Sequence, residues 1–187
     1  ARQSMGYAVP HGQPLMVSLA GQPFIDTRLS FHSYLPANLP SGIASKLVDE
    51  WVERLKSKPE LHDKVEFDVA ITAYTFNLDD RLNQLATSLN EKERKIFKEE
   101  LKQLTHPLIA GNGGGSIDVA MKHIDQLALC ELPDIESGPL GLKRLIDDCV
   151  NFGTIPFSVL ARHGFIAKSL LLSLISRKIV SQQEIDL

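Results

Sequence analysis

From Asp79 onward the apolar residues of this chain recur at three- and four-residue steps. The breaks between runs carry capping residues, glycine or proline. That spacing lays an apolar stripe along one side of each run, so the second half of the chain must fold as helices packed stripe to stripe. Leu82, Leu85 and Leu89 make the first stripe. Asn90 with Glu93 reads as a variant capping box opening a helix whose stripe is Ile96, Phe97, Leu101 and Leu104. Ser116 begins another, with Ala120, Met121, Ile124, Leu127 and Ala128 inward. Residues 139–150 form the next, stopped by Gly153 as a C-terminal cap. Thr154 starts the last full helix, to about Arg177, with Pro156 tolerated in its first turn. Gly164 inside it costs about 1 kcal/mol against Ala, and a close helix crossing is one reason to keep a glycine there.

The first part of the chain has a different period. Leu15, Met16, Val17, Ser18 and Leu19 form an apolar run. Turn chemistry follows in Ala20, Gly21, Gln22 and Pro23, and an extended pattern resumes from Phe24 to about Arg28. This reads as a hairpin. Pro36 and Pro40 close the segment. Ser41 is positioned to cap a helix carrying Leu47, Val48, Trp51, Val52 and Leu55 on one face, ended by Lys58 and Pro59. Residues 65–72 alternate apolar and polar, with Val65, Phe67, Val69 and Ile71 on one side, which predicts a strand paired with the hairpin. The expected fold class is therefore α+β: a small antiparallel β-sheet near the N-terminus followed by a mostly helical region.

A chain of 187 residues can bury a core without disulfides or metals. Its net charge of -3, from 20 basic and 23 acidic residues, argues against a dedicated nucleic-acid partner. The longest apolar run, 165–175, is interrupted by Lys168 and Ser169 and falls short of a membrane span. The first residues hold no secretory apolar region, so a cytoplasmic location is expected. Cys130 and Cys149 then read as reduced core residues. The chain opens without an initiator Met, and Ser181 to Glu184 is a capping box only three residues before Leu187. The expectation is one domain over 1–187, cut from a longer protein at both ends. Residues 111–116, Gly-Asn-Gly-Gly-Gly-Ser, suit either a natural glycine loop or an engineered linker in place of an excised segment.

Complete catalytic signatures are missing. The glycine run lacks the Gly-Lys-Ser/Thr of a phosphate loop and does not follow a strand. The six histidines show no metal-binding spacing, and there is no nucleophile elbow. The polar segment 26–34 leaves a strand and precedes a proline loop, where binding groups commonly sit. If the strand continues, Arg28, Ser30 and His32 share one face: a permanent cation, a hydroxyl and an imidazole, suited to a polar or anionic ligand. Arg162, with His163 and Lys168, lies on what reads as the polar side of the last helix, and Arg162 is a candidate to join that site.

Several strings, taken together, carry a resemblance. They are Gly6-Tyr7, Pro14-Leu15-Met16-Val17, Gly21 followed by 24–31 (Phe-Ile-Asp-Thr-Arg-Leu-Ser-Phe), Leu35-Pro36, 62–68 (His-Asp-Lys-Val-Glu-Phe-Asp), and 153–163 from Gly153 to His163. The chain resembles the central segment of bacterial proteins related to phosphoenolpyruvate synthase and pyruvate phosphate dikinase. The resemblance covers most of the chain but not residues 111–116. It implies a substrate-side middle domain lying between an ATP-binding domain and a swivelling phosphohistidine domain, which would be its partners in the parent protein. It also implies a small-molecule acceptor, and ATP and Mg2+ as cofactors of the parent; no cofactor is expected in this segment. The phosphohistidine motif itself is not in this sequence, so the segment is expected to bind and position substrate without turning anything over. The other reading of the residues is a helical scaffold that docks neighbouring domains or a partner protein.

Overall fold

Ala20 and Gly21 have φ of 50° and 78°, positive values at both central residues of a two-residue hairpin turn. They fold strand β1 (Met16–Leu19) back onto β2 (Gln22–Ile25), with Met16 opposite Ile25 and Leu19 opposite Gln22. The structure, a computed structural model, describes residues 1–10, 13–110, 114–131 and 138–185. The helices that follow are α1 (Thr27–His32), α2 (Ser41–Ser57), α3 (Leu78–Leu85), α4 (Glu91–Ile109), α5 (Ser116–Leu129), α6 (Gly138–Asp148), α7 (Ile155–Ser176) and α8 (Gln182–Ile185). The class is α+β as expected, but the sheet among the described residues is the hairpin alone.

The strand expected at 65–72 does not form. Residues Val65–Val69 close into one π-turn, with the Ala70 N–H donating to the Val65 carbonyl at 2.8 Å. The carbonyls a sheet would have paired are taken by two arginines. Arg81 Nη2 donates to Phe67 and Ala70 at 3.0 and 2.9 Å, and Arg54 Nε donates to Asp68 at 2.7 Å. Beyond the turn the alternation fails as well, because Val69, Ala70, Ile71, Thr72 and Ala73 are all buried in succession. The segment runs through the core rather than along the edge of a sheet.

The extended reading of 26–34 is also corrected. Asp26, in an extended conformation, accepts from the Leu29 N–H at 2.9 Å and caps α1. Two residues advance a helix by about 200°, so Ser30 points away from Arg28 and His32, which lie one turn apart. Smaller corrections follow the same pattern. Pro40, not Ser41, is the N-cap of α2, without a side-chain hydrogen bond. Gly153 ends nothing: α6 passes through a π-turn at Cys149–Thr154 directly into α7. A Cβ on Gly153 would meet Leu127 Cδ2 at 3.4 Å, whereas Gly164 has nothing within 4 Å, so no close crossing explains it. On α5 Ala120 is buried, but Met121, Leu127 and Ala128 are exposed. Cys149 is exposed and Cys130 half-buried; neither belongs to the core.

Two apolar clusters hold the chain. The larger gathers Phe31, Leu47, Trp51, Ile71, Leu82 and Phe97 with their neighbours from α1 to α4. The capping box at Asn90 and Glu93 is present with both bonds, at 3.0 and 2.9 Å. The smaller cluster joins Met5 and Tyr7 to Leu104, Ala120 and Val159, and so ties the first residues to α4, α5 and α7. Gly6 makes that contact close. Its φ is +87°, and an added Cβ would stand 3.1 Å from Leu104 Cδ1. A Gly6→Ala substitution is expected to cost about 1–2 kcal/mol, read as a lower urea midpoint with an unchanged slope. An unchanged midpoint would show that the terminal segment contributes little to stability.

The run from Gly138 to Ser176 is one helix of 39 residues, and an 18-residue window in it has a mean hydropathy of 1.3. Joining α6 to α7 thus meets the length and apolarity of a membrane span, which the interrupted run 165–175 alone does not. Only 28% of that window is buried. The inward positions of α7 include Arg162, Ser169 and Ser173; Arg162 bonds to Glu66, and Ser173 Oγ accepts from the Phe76 N–H, which ties the helix to the rest of the protein.

Candidate functional site

On α7 the buried residues Val159, Arg162, Ile166, Ser169 and Ser173 are spaced by three and four. Arg162 therefore sits on the inward stripe and not on the solvated side, and it is 3% exposed. Its Nη1 donates to Glu66 Oε2, from the π-turn that replaced the expected strand. Its guanidinium lies over the ring of Tyr7 at 4.7 Å and that of Tyr34 at 5.2 Å. Arg2 covers the Tyr34 ring at 4.4 Å and donates to Ser33 Oγ. The Tyr7 hydroxyl donates to the Thr72 carbonyl at 3.0 Å. Burial pushes the Tyr7 phenol above its usual pKa against the pull of Arg162, so it stays neutral and remains a donor.

Arg162 has an unusual hydrogen-bond balance. Its Nε and Nη2 are buried and have no partner among the described residues. Leaving a buried N–H unpaired costs about 1–3 kcal/mol. Cation–π contact with two rings offsets part of this, since a desolvated contact contributes about 2 kcal/mol. Arg162 also lines a cavity of about 540 Å³, together with Arg2, Ser33 and Glu66 on its polar side and Phe157 and Phe165 on its apolar side.

The other proposed residues lie elsewhere. Arg28 pairs with Asp49 of α2 at 2.5 Å, with both side chains more than half exposed. Such a surface pair contributes about 0–1 kcal/mol. His32 is half-buried, and burial, helped by the Arg28 charge, lowers its pKa. Arg28, Ser30 and His32 do not line the cavity at Arg162; Ser33 does. Lys168, read with Arg162 as part of a polar face, stacks over Phe67 at 5.0 Å. Tyr7, Tyr34, Glu66 and Arg2 were not among the candidate site residues, although Tyr7 and Glu66 fall in the strings of the resemblance and Tyr34 closes the polar segment 26–34. The one available signal was the 3-4-3-4 spacing that places Arg162 in register with Val159 and Ile166.

Two further cavities lie away from Arg162. One, of about 390 Å³, includes Arg54 and Arg81, which are committed to backbone carbonyls. The other, of about 580 Å³, contains Ser116 and His163, with Ser116 Oγ 2.7 Å from His163 Nε2. Burial lowers the His163 pKa, which favours the neutral ring. Among the described residues no third group holds its Nδ1, and Asp118 occupies the Gly114 and Gly115 N–H groups that would stabilise an oxyanion. Residues 111–113, and with them part of the natural-or-engineered question about the glycine run, lie outside the described residues, as does His11. Among the described residues no three His, Cys, Asp or Glu side chains gather as a metal site would require. No protein-family model, curated protein or solved structure matches the chain.

Proposed function

We propose that this chain is the substrate-binding and positioning middle domain of a bacterial ATP-dependent phosphotransferase of the phosphoenolpyruvate synthase type. The carrying observation is a convergence. The strings on which the resemblance rests are far apart in the sequence, yet Leu15, Glu66, Phe157, Ser158 and Arg162 line one cavity, with Tyr7 stacked on Arg162 beside it. A cavity with a few converging polar groups and an apolar wall is the usual form of a small-molecule site. On this reading ATP and Mg2+ belong to a neighbouring domain of a cytoplasmic parent. The present residues hold the acceptor while a phosphohistidine is brought to it. Their contribution is positioning and charge, the main protein contribution in phosphoryl transfer. The test uses the longer parent protein, radiolabelled ATP and pyruvate as acceptor probe. Acid-labile histidine label should form equally in the unsubstituted protein and in a Ser158→Trp variant, which obstructs the cavity from an exposed position. Only the unsubstituted protein should discharge the label to the acceptor. Label that never forms, or that leaves equally fast from both, would overturn the reading.

A second reading, a docking domain, is favoured by one observation. Every residue of β1 and β2 is exposed, including Met16 at 61% and Ile25 at 60%. An isolated two-stranded hairpin is marginal in water, so apolar side chains on both of its faces suit a covering partner.

A further inference from the structure

The chemistry of the cavity narrows what it takes. With Nη1 held by Glu66, the free nitrogens of Arg162 are Nε and Nη2. These two form the side edge of a guanidinium, where two N–H bonds run parallel at the spacing of a carboxylate's oxygens. Among the side chains lining the cavity Arg2 and Arg162 stand against Glu66, leaving one net positive charge where the Ala1 nitrogen, also at the cavity, is an uncharged amide. A monoanion balances that charge, whereas a dianionic phosphate would exceed it. The lining also includes Phe157, 69% exposed, and Phe165, 40% exposed, which offer apolar surface to something beyond the anionic group.

We infer that Arg162 receives, on its Nε/Nη2 edge, the carboxylate of a monocarboxylic acid whose apolar body lies against Phe157 and Phe165. The inference rests on the reading of this cavity as the acceptor site and specifies the acceptor's class. In the free protein the edge is closed to bulk water, so a wall side chain must move to admit the ligand. The same closure slows exchange of the Arg162 Nε proton, which makes it a resolved reporter by nitrogen-15 NMR.

The experiment titrates the 187-residue chain, acetylated at Ala1 so that no ammonium charge is added at the cavity, with hexanoate, acetate and inorganic phosphate at about pH 8, where phosphate is mostly the dianion, following the arginine Nε–H signals. Hexanoate should shift the Arg162 signal and bind roughly tenfold or more tightly than acetate, because only it carries an apolar body. Phosphate should leave the signal in place. Arg162→Lys keeps the charge but removes the two-donor edge, and should weaken hexanoate roughly tenfold or more by calorimetry. Should that variant fail to fold, Ser158→Trp, on the same wall, should weaken hexanoate by a similar factor with the fold retained. A signal that answers phosphate and not carboxylates, or hexanoate binding unchanged in Ser158→Trp, would overturn the inference. A chain that binds hexanoate, from a parent that forms no histidine label, would keep the inference and remove the phosphotransferase reading.

Discussion

Replacing Arg162 by Met is expected to lower the unfolding free energy by about 3–5 kcal/mol, because it leaves Glu66 as an unpaired charge. The Glu66 side chain is only 12% exposed, so water replaces Arg162 poorly as its partner. In a chain of this size the melting temperature should fall by roughly 6–20 °C. The intact pair is a poor source of net stability, since both charges are desolvated and two guanidinium nitrogens lack acceptors. The double variant Arg162→Met with Glu66→Leu should therefore recover most of the loss, to within about 1 kcal/mol of the starting protein. Urea unfolding followed by the emission of Trp51, the sole tryptophan, measures all three proteins. A single variant within 1 kcal/mol of the parent would mean that Glu66 finds water or another donor, and that the site is looser than its burial implies. A double variant that is stable yet no longer binds hexanoate would separate the two roles of Arg162: its charge burdens the fold and serves the ligand.

The parts of the fold legible in the sequence were those whose signal is local. The hairpin follows from an apolar run on each side of a glycine turn. The α4 start follows from Asn90 and Glu93, whose reciprocal bonds lie within four residues. The stripes of α2 and α4 follow from spacing, since Trp51, Phe97 and Leu101 repeat at helical steps and all are fully buried. What failed was any inference that needed a partner. Alternation at 65–72 is compatible with a strand only if another strand lies beside it, and there Arg54 and Arg81 satisfy the carbonyls instead. Arg54 and Arg81 belong to the helices on either side, 14 and 11 residues from Asp68 and Ala70, and nothing within the segment itself announces them.

The candidate site was half legible for the same reason. Arg162 was singled out, but as one of several cations on a polar face; its burial depends on Glu66, Tyr7 and Tyr34, which come from three other segments. Arg28, Ser30 and His32 were grouped on the assumption that the strand continues. The Asp26 cap, a signal lying in plain view, converts the segment to a helix and separates Ser30 from the other two. Gly153 misled in the opposite direction. A glycine after a helical stripe usually marks a C-terminus, but here a π-turn carries the helix through it and leaves the residue room for Leu127.

Truncating Trp51 to Ala should cost about 3–5 kcal/mol, the range for deleting a large aromatic side chain from a core. The ring is fully buried in α2, meets Phe31 edge-on at 6.1 Å and 85°, and donates its Nε1–H to the Leu85 carbonyl at 2.7 Å. Removing it leaves a cavity and an unpaired carbonyl at the end of α3. Trp51→Phe retains much of the volume and loses the hydrogen bond, so a smaller cost of about 1–3 kcal/mol is expected. The position also reaches the site by contact. Phe31 touches Trp51 on one side and Tyr34, at 6.3 Å, on the other, and Tyr34 lies beneath both Arg2 and Arg162. Loosening Trp51 should therefore lessen the protection of the Arg162 Nε proton in Trp51→Phe, although residue 51 is not part of the cavity. Hydrogen exchange at Arg162, measured where both proteins are more than 99% folded, tests the link. Faster exchange in Trp51→Phe, beyond what its change in global stability accounts for, is the expected result. Exchange that simply follows global stability would show that the core and the site are coupled only by unfolding together.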